Sequence, residues 1–392
     1  HPPLRRLPPQ NKHKDTGLVA FHWFQDKVHV NYLVTLLAGY FVKMEDKHGE
    51  LPVALYVPPS EKDQLANTFR DTIKILDYFE REIGVPYPRD TYNNACAIDY
   101  MWGGMENTSL TPLTTRTLFT DATENLRSSR GLDAHEVAHQ WFGDLVTCRD
   151  WSHLWLNEGF ATYVEHTVSN LVDPEIHAWD RFVAEVMFHV MKIDSQPDTW
   201  SLSGPVTSID DVHRKFGLIT YYKGASVIRM MESFLGLETL NKGLNSYLND
   251  MAFNTAQEDD LFIHLEAAAL EDGSWPQEGV SDFSTVMKTW TRQAGLPLVN
   301  VTRMGDGSAV ISQTWYRDEV TEGAGDQIWS IPVTMTDGEA ASQDWEDTKP
   351  DFWLTEASVE AGFIASAPPR DLKASVEGAP SRRTLHAKTS DE

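Results

Sequence analysis

The sequence predicts an α+β multidomain fold, with a mainly helical core and flanking β segments. Three observations carry this. Apolar residues recur at helical spacing from Ser60 to Ile83, helical patterning runs from Arg127 to Ala294, and short alternating segments follow Gly295. At 392 residues the chain is long enough for two or three domains. Its 41% hydrophobic and 11% aromatic content can fill a sizeable core.

Residues 1–16 are rich in proline and charge and are expected to be irregular. Val19 to Val42 alternates aromatic and β-branched residues, as in Phe21-His22-Trp23-Phe24 and Val28–Val34, which predicts strands. Ser60 opens an amphipathic helix with Leu65, Phe69, Ile73, Leu76, Phe79 and Ile83 at helical spacing, and Gly84 with Pro86 and Pro88 stops it. Asn93 to Trp102 reads as strand and leads into Gly103. A helix around His135 carries Leu132, Ala134, Val137, Ala138 and Trp141 on its apolar sides and ends at Gly143-Asp144. Leu145–Asp150 is a short connection, and Trp155–Glu165 is a second helix with Asp150 or Ser152 as N-cap. Thr255 and Glu258 form a capping box ahead of Leu261, Ile263 and Leu265. Beyond Gly295, the segments Leu298–Thr302, Ala309–Thr314, Trp329–Met335 and Phe352–Thr355 predict a small antiparallel β-domain. Ala367–Glu392 is Pro, Ser, Ala and charge without apolar periodicity, and disorder is expected there.

The chemistry lies in His135-Glu136-Val137-Ala138-His139 and the later Glu158. Residues four apart share a helix face, so His135 and His139 can present both imidazoles to one point. Two imidazoles and a carboxylate make three ligands and leave a fourth position open, as catalytic rather than structural zinc sites do. Glu136 stands beside that position as a candidate general base, and the pattern points to metal-assisted hydrolysis. A loop of the length of Gly143–Asp150 lets the two helices bring Glu158 to the imidazoles. Upstream, Gly103-Gly104-Met105-Glu106-Asn107 follows the apolar run Ala95–Trp102. A glycine pair lets backbone approach a ligand closely, and Glu106 adds a carboxylate.

Composition excludes some partners. A formal charge of −25 argues against nucleic acid and against anionic membrane surfaces. No run has the apolar length of a membrane-crossing helix. Cys96 and Cys148 are the only cysteines, so no disulfide framework is expected, and neither has ligand spacing. The opening at His1 is no secretory signal and suggests a processed or truncated product, and the lack of a signal or membrane segment favours the cytoplasm.

Taken together, the GGMEN segment, the HExxH pattern and the later Glu resemble the M1 family of zinc aminopeptidases, the gluzincins. The resemblance runs through HEVAHQWFGDLVTCRDWSHLWLNEGFATYVE, residues 135–165, and extends over roughly residues 20–360. Tyr221-Tyr222-Lys223-Gly224-Ala225 resembles that family's Y-x-K-G-A segment. The resemblance implies a thermolysin-like core that holds one zinc ion per chain through His135, His139 and Glu158. It implies that Glu136 is the general base and that Tyr221 stabilises the oxyanion. Gly103, Gly104, Met105, Glu106 and Asn107 would then bind substrate, with Glu106 anchoring the free α-amino group of a peptide. The division implied is a remnant of an N-terminal β-domain over 1–45, a catalytic domain over 46–295, a small β-domain over 296–366 and a tail over 367–392. Alternatives remain: an endopeptidase, a bifunctional hydrolase that also takes an epoxide lipid, or a truncated, inactive or peptide-binding fragment lacking its flanking domains. The preferred N-terminal residue and the oligomeric state are not readable from the residues.

Overall fold

Leu51–Val57 is nearly all apolar, and Val53, Ala54 and Leu55 are buried in succession. A strand buried at consecutive positions is covered on both faces, as inner strands with parallel neighbours are. In the computed structural model this segment is strand β2 of a four-stranded sheet. The structure describes residues 24–120, 122, 130–306, 308–318, 327–336, 348–361 and 373–375. The chain forms two compact units, one of His1–Thr147, Leu171–Asp173 and Leu248–Thr255, the other of Cys148–Asn170, Pro174–Tyr247 and Ala256–Glu392.

In the first unit, β1 (Val42–His48) runs antiparallel to β2, with Val42 opposite Val57. Strands β3 (Tyr92–Ala97) and β4 (Thr111–Thr114) continue the sheet in parallel. Parallel pairing needs a crossover, and the one between β2 and β3 carries α1 (Leu65–Thr68) and α2 (Thr72–Tyr78). The single helix expected from Ser60 to Ile83 is therefore broken: a 3-10 turn covers Pro59–Gln64, the chain is irregular at Phe69–Asp71, and a π turn covers Phe79–Ile83. Side chains at the break bind elsewhere. Phe119 N donates to Thr68 Oγ1 (3.2 Å), and Arg130 Nε donates to Asp71 Oδ2 (2.8 Å). Gly84 does close the region, in the left-handed conformation expected of it.

Helix α3 (Arg130–Ala138) follows, then β5 (Val146–Cys148), which pairs with β6 (Asn254–Ala256). The expected loop at 145–150 thus contains a strand. Trp141 stacks on Phe79 with centroids 4.2 Å apart and donates to Val85 O, tying the end of α3 to the core. Residues 24–41 hold no strand, contrary to their alternating pattern, and Phe24, Val28, Val34, Leu36 and Tyr40 are exposed. Alternation makes a strand only where a neighbouring strand takes the backbone hydrogen bonds. The expectations for 1–16, and for 19–23 as strand, lie outside the described residues.

The second unit is helical up to Gly295: α4 (Trp155–Val172), α5 (Ala178–Arg181), α6 (Phe188–Asp194), α7 (Ile209–Lys215), α8 (Gly224–Leu235), α9 (Leu237–Asp250), α10 (Glu258–Asp272) and α11 (Phe283–Thr291). The cap of α10 is Gln257 with Asp260, two residues beyond the expected Thr255 and Glu258. Glu258 is buried and already engaged by Ser203 and Arg292, so it cannot reach back to cap. After Gly295 come β7 (Leu296–Arg303), β8 (Ala309–Tyr316), β9 (Ile331–Thr336), β10 (Phe352–Leu354), β11 (Ser358–Ala361) and β12 (Lys373–Ser375). They pair antiparallel in the orders β11-β8-β7 and β10-β9-β12. Ile311, Trp329, Ile331, Val333 and Leu354 form their core. Strand β12 falls inside the stretch expected to be disordered; the rest of that stretch is outside the described residues. Cys96 and Cys148 are both buried thiols.

Candidate functional site

Helix α3 is fixed at its first turn by charge. Arg130 pairs with Asp71 (2.8 Å) and Asp173 (3.0 Å), and buried Asp133 accepts hydrogen bonds from Thr72 Oγ1 (2.6 Å) and Asn94 Nδ2 (2.8 Å). Burial raises the Asp133 carboxyl to about 6 despite those hydrogen bonds. The regular helix ends at Ala138, short of the expected Gly143, but His139 N still bonds to His135 O (3.2 Å), so the two histidines keep helical spacing. Their Nε2 atoms are 3.1 Å apart and their rings cross at 81°.

His139 Nδ1 lies 3.0 Å from Phe142 O. A carbonyl only accepts, so Nδ1 carries the proton and Nε2 presents a lone pair. One ligand atom from each of His135, His139 and Glu158 lies within 4.8 Å of the others. Two imidazole nitrogens on one tetrahedral zinc stand about 3.3 Å apart, given Zn–N bonds of ~2.0–2.1 Å. The donor set and its spacing therefore fit zinc.

Glu158 lies in the first turn of α4 and is buried. Asp150 accepts from Ser152 N (2.9 Å) and so caps the 3-10 turn Trp151–His153 ahead of α4, not α4 itself, for which Asp150 or Ser152 was expected. Asn157 Oδ1 accepts from Cys148 N, and Trp155 Nε1 donates to Ser203 Oγ. Next to Glu158, Gly159 meets Gly224 backbone to backbone: a Cβ on Gly159 would stand 3.0 Å from the Gly224 Cα, and the converse distance is also 3.0 Å.

Glu136 is buried on α3, beside Gly104. A Cβ on Gly104 would lie 2.5 Å from the Glu136 carboxyl carbon, so the glycine makes room for that carboxylate. Thr114 N donates to Gly103 O (2.9 Å) and Met105 N donates to Pro112 O (3.1 Å), an antiparallel pairing with β4. Gly104's own N–H and C=O consequently face the opposite edge. Glu106 and Asn107 are buried, and Asn107 Nδ2 donates to Tyr32 O (3.3 Å).

Tyr221 is half-buried in a π turn, Ile219–Lys223, that leads into α8 three residues before Gly224. π turns in helices recur at functional positions. Lys223 is buried and fully engaged, by Asp194 (2.9 Å) and the carbonyls of Gln293 and Gly295. It pins the turn that carries Tyr221.

Two further residues near the site were given no role from the sequence. Burial and the charges of Glu136 and Glu106 push Tyr100 up to about 12, so its phenol lies within the field of both carboxylates. Gln140 donates from Nε2 to Glu106 O (3.0 Å). Its only sequence signal is a polar residue in the otherwise apolar run around Trp141.

Comparison with known proteins accords with these features. The model of the peptidase family M1 domain matches residues 67–290. Aminopeptidase M1-A of Oryza sativa subsp. japonica is 34% identical over 333 residues, 83% of this chain and 36% of that protein. Aminopeptidase 2, mitochondrial, of Saccharomyces cerevisiae is 32% identical over 73% of this chain and 29% of its own length. Endoplasmic reticulum aminopeptidase 1 of Homo sapiens is 30% identical over 81% of this chain and 36% of its length. The chain thus spans about a third of the length of these relatives. Among the described residues no helix is long and apolar enough to cross a membrane. From the family-model match and these identities, the chain belongs to peptidase family M1.

Proposed function

We propose that this chain is the catalytic region of a zinc-dependent aminopeptidase that releases N-terminal residues from peptides. The observation that carries the reading is the convergence of His135, His139 and Glu158 ligand atoms. The naming of the relatives as aminopeptidases adds support. In this reading residues 46–295 are a thermolysin-like domain, preceded by a β remnant over 1–45 and followed by a β-domain over 296–366 and a tail.

His135, His139 and Glu158 hold one zinc ion. Zinc at such a site supplies two things, a lowered water pKa and polarisation of the scissile carbonyl. Glu106 pairs with the substrate's α-ammonium and so fixes which bond reaches the centre. The outward edge of Gly104 aligns the substrate backbone. The Glu136 carboxylate takes the proton of the attacking water and passes it to the leaving nitrogen. The Tyr221 hydroxyl donates a hydrogen bond to the oxyanion as it develops.

The test is hydrolysis of aminoacyl fluorogenic amides by the purified chain, with and without a chelator. Chelator-sensitive release from free-amine substrates, and refusal of their N-acetylated counterparts, is expected. Equal cleavage of both would mean an endopeptidase. Zinc binding without any cleavage would leave the peptide-binding fragment.

A further inference from the structure

We propose that Gln140 is a positioning residue for substrate amine recognition, acting through the backbone of Glu106. The inference rests on the assignment of Glu106 to the substrate's α-ammonium. Gln140 directly follows His139 and is fully buried. Its amide is used at both ends: Nε2 donates to Glu106 O (3.0 Å), while Oε1 receives the Tyr87 hydroxyl (3.1 Å) and Ser109 N (3.3 Å). One side chain thus spans residues 106–109 from a root beside a candidate zinc ligand.

The segment it holds is strained. Ser109 is buried at φ 59°, a left-handed conformation rarely taken by residues other than glycine. Such a backbone persists only where its surroundings over-determine it. Here two side-chain amides do so, Gln140 on Ser109 N and Asn93 Nδ2 on Ser109 O (2.8 Å). Leu110 N closes the turn onto Asn107 O (3.0 Å). The carboxylate of Glu106 is therefore aimed by a backbone whose carbonyl and downstream turn are both set by Gln140. An ammonium anchor works by register, so a shift of this backbone should be read as lost amine selectivity rather than as a general loss.

The experiment is calorimetric binding of L-leucinamide and N-acetyl-L-leucinamide to the full zinc-loaded chain. Wild type should prefer the free amine, and Glu106→Ala should remove that preference. Gln140→Met should cut the preference about tenfold, because a buried carbonyl loses its donor. Gln140→Asn keeps a polar amide in the core but is one methylene too short to span Glu106 and Ser109, and should do the same. Zinc content should hold in both, and neither should change anything further in the Glu106→Ala background. Tyr87→Phe removes another bond to the same amide and should lower Tm while the preference stays. A preference intact in both Gln140 variants but lost in Glu106→Ala would overturn the role of Gln140 alone. Equal weakening of both ligands in the Gln140 variants would reduce Gln140 to a structural residue and overturn the proposal as well. No preference in wild type would overturn the Glu106 assignment and this inference with it.

Discussion

At the scale of single residues, the candidate site turns on the space given to Glu136. Glu136→Gln keeps size and packing but cannot accept a proton at neutral pH. Turnover is expected to fall by about 10²–10⁴-fold at unchanged zinc content. Metal analysis alongside single-substrate kinetics checks this, and near-normal turnover would assign the base elsewhere. Gly104→Ala places a methyl where the Glu136 carboxylate sits. It should lower kcat as severely as Glu136→Gln while Tm changes little, since the carboxylate rather than the fold has to move. Tyr221→Phe should lower kcat by about 10²–10³-fold with a smaller effect on KM. The grouping of His135, His139 and Glu158 was legible because it lies in the spacing of one short stretch, and their ligand atoms do come together. Gln140 was not, because its partners Tyr87, Glu106 and Ser109 lie far from it in sequence.

At the scale of elements, the sequence announced helices better than their limits. The region from Ser60 to Ile83 has helical apolar spacing throughout, yet Thr68, Asp71 and Thr72 spend their side chains on Phe119, Arg130 and Asp133 and divide it. Periodicity reports which face is buried and is silent about tertiary hydrogen bonds. The same blindness moved the α10 cap from Thr255 to Gln257 and left Val28–Val34 without a partner strand among the described residues. The break at Asp71 has a measurable pH signature. Burial alone would raise its carboxyl, but hydrogen bonds from Lys74 and Arg130 outweigh this and hold it below the usual range. A depressed carboxylate contributes stability that is fully present above its unfolded pKa of about 3.9 and is lost as pH falls through the folded value. Wild type should therefore melt above Asp71→Asn at pH 7, and the gap should close on acidification below about pH 4. Melting curves across that range test it, and a gap that widened in acid would mean the pairing with Arg130 and Lys74 is not what Asp71 contributes.

At the scale of the whole molecule, apolar patterning foretold an α+β protein and composition a large core, and neither said much about arrangement. The aromatic core strands after Gly295 were readable because each is short and flanked by turn residues, whereas β12 lies in a stretch without apolar periodicity. A ligand that binds only the folded chain raises its stability by mass action. Zinc in hundredfold excess over its dissociation constant should add about 2.7 kcal/mol. Tm should climb with zinc concentration and drop under a chelator, and His135→Ala should flatten that dependence. A melting temperature indifferent to zinc in the wild type would remove the metal from the account.

The contact of Gly159 with Gly224 has a mechanical consequence. With no side chains between them, the two backbones meet at one close contact, the point about which a relative tilt of α4 and the start of α8 would turn. Glu158 lies one residue from that point and Tyr221 three from it. With consecutive Cα atoms about 3.8 Å apart and positions three apart on a helical turn about 5 Å apart, a rocking of about 10° displaces the Cα of Glu158 by at most about 0.7 Å and that of Tyr221 by at most about 0.9 Å. Both groups sit on short lever arms, so fluctuations that swing the far ends of these helices widely are demagnified where the chemistry is placed. An alanine at either glycine would put a methyl 3.0 Å from the facing backbone and spread the helices at that point.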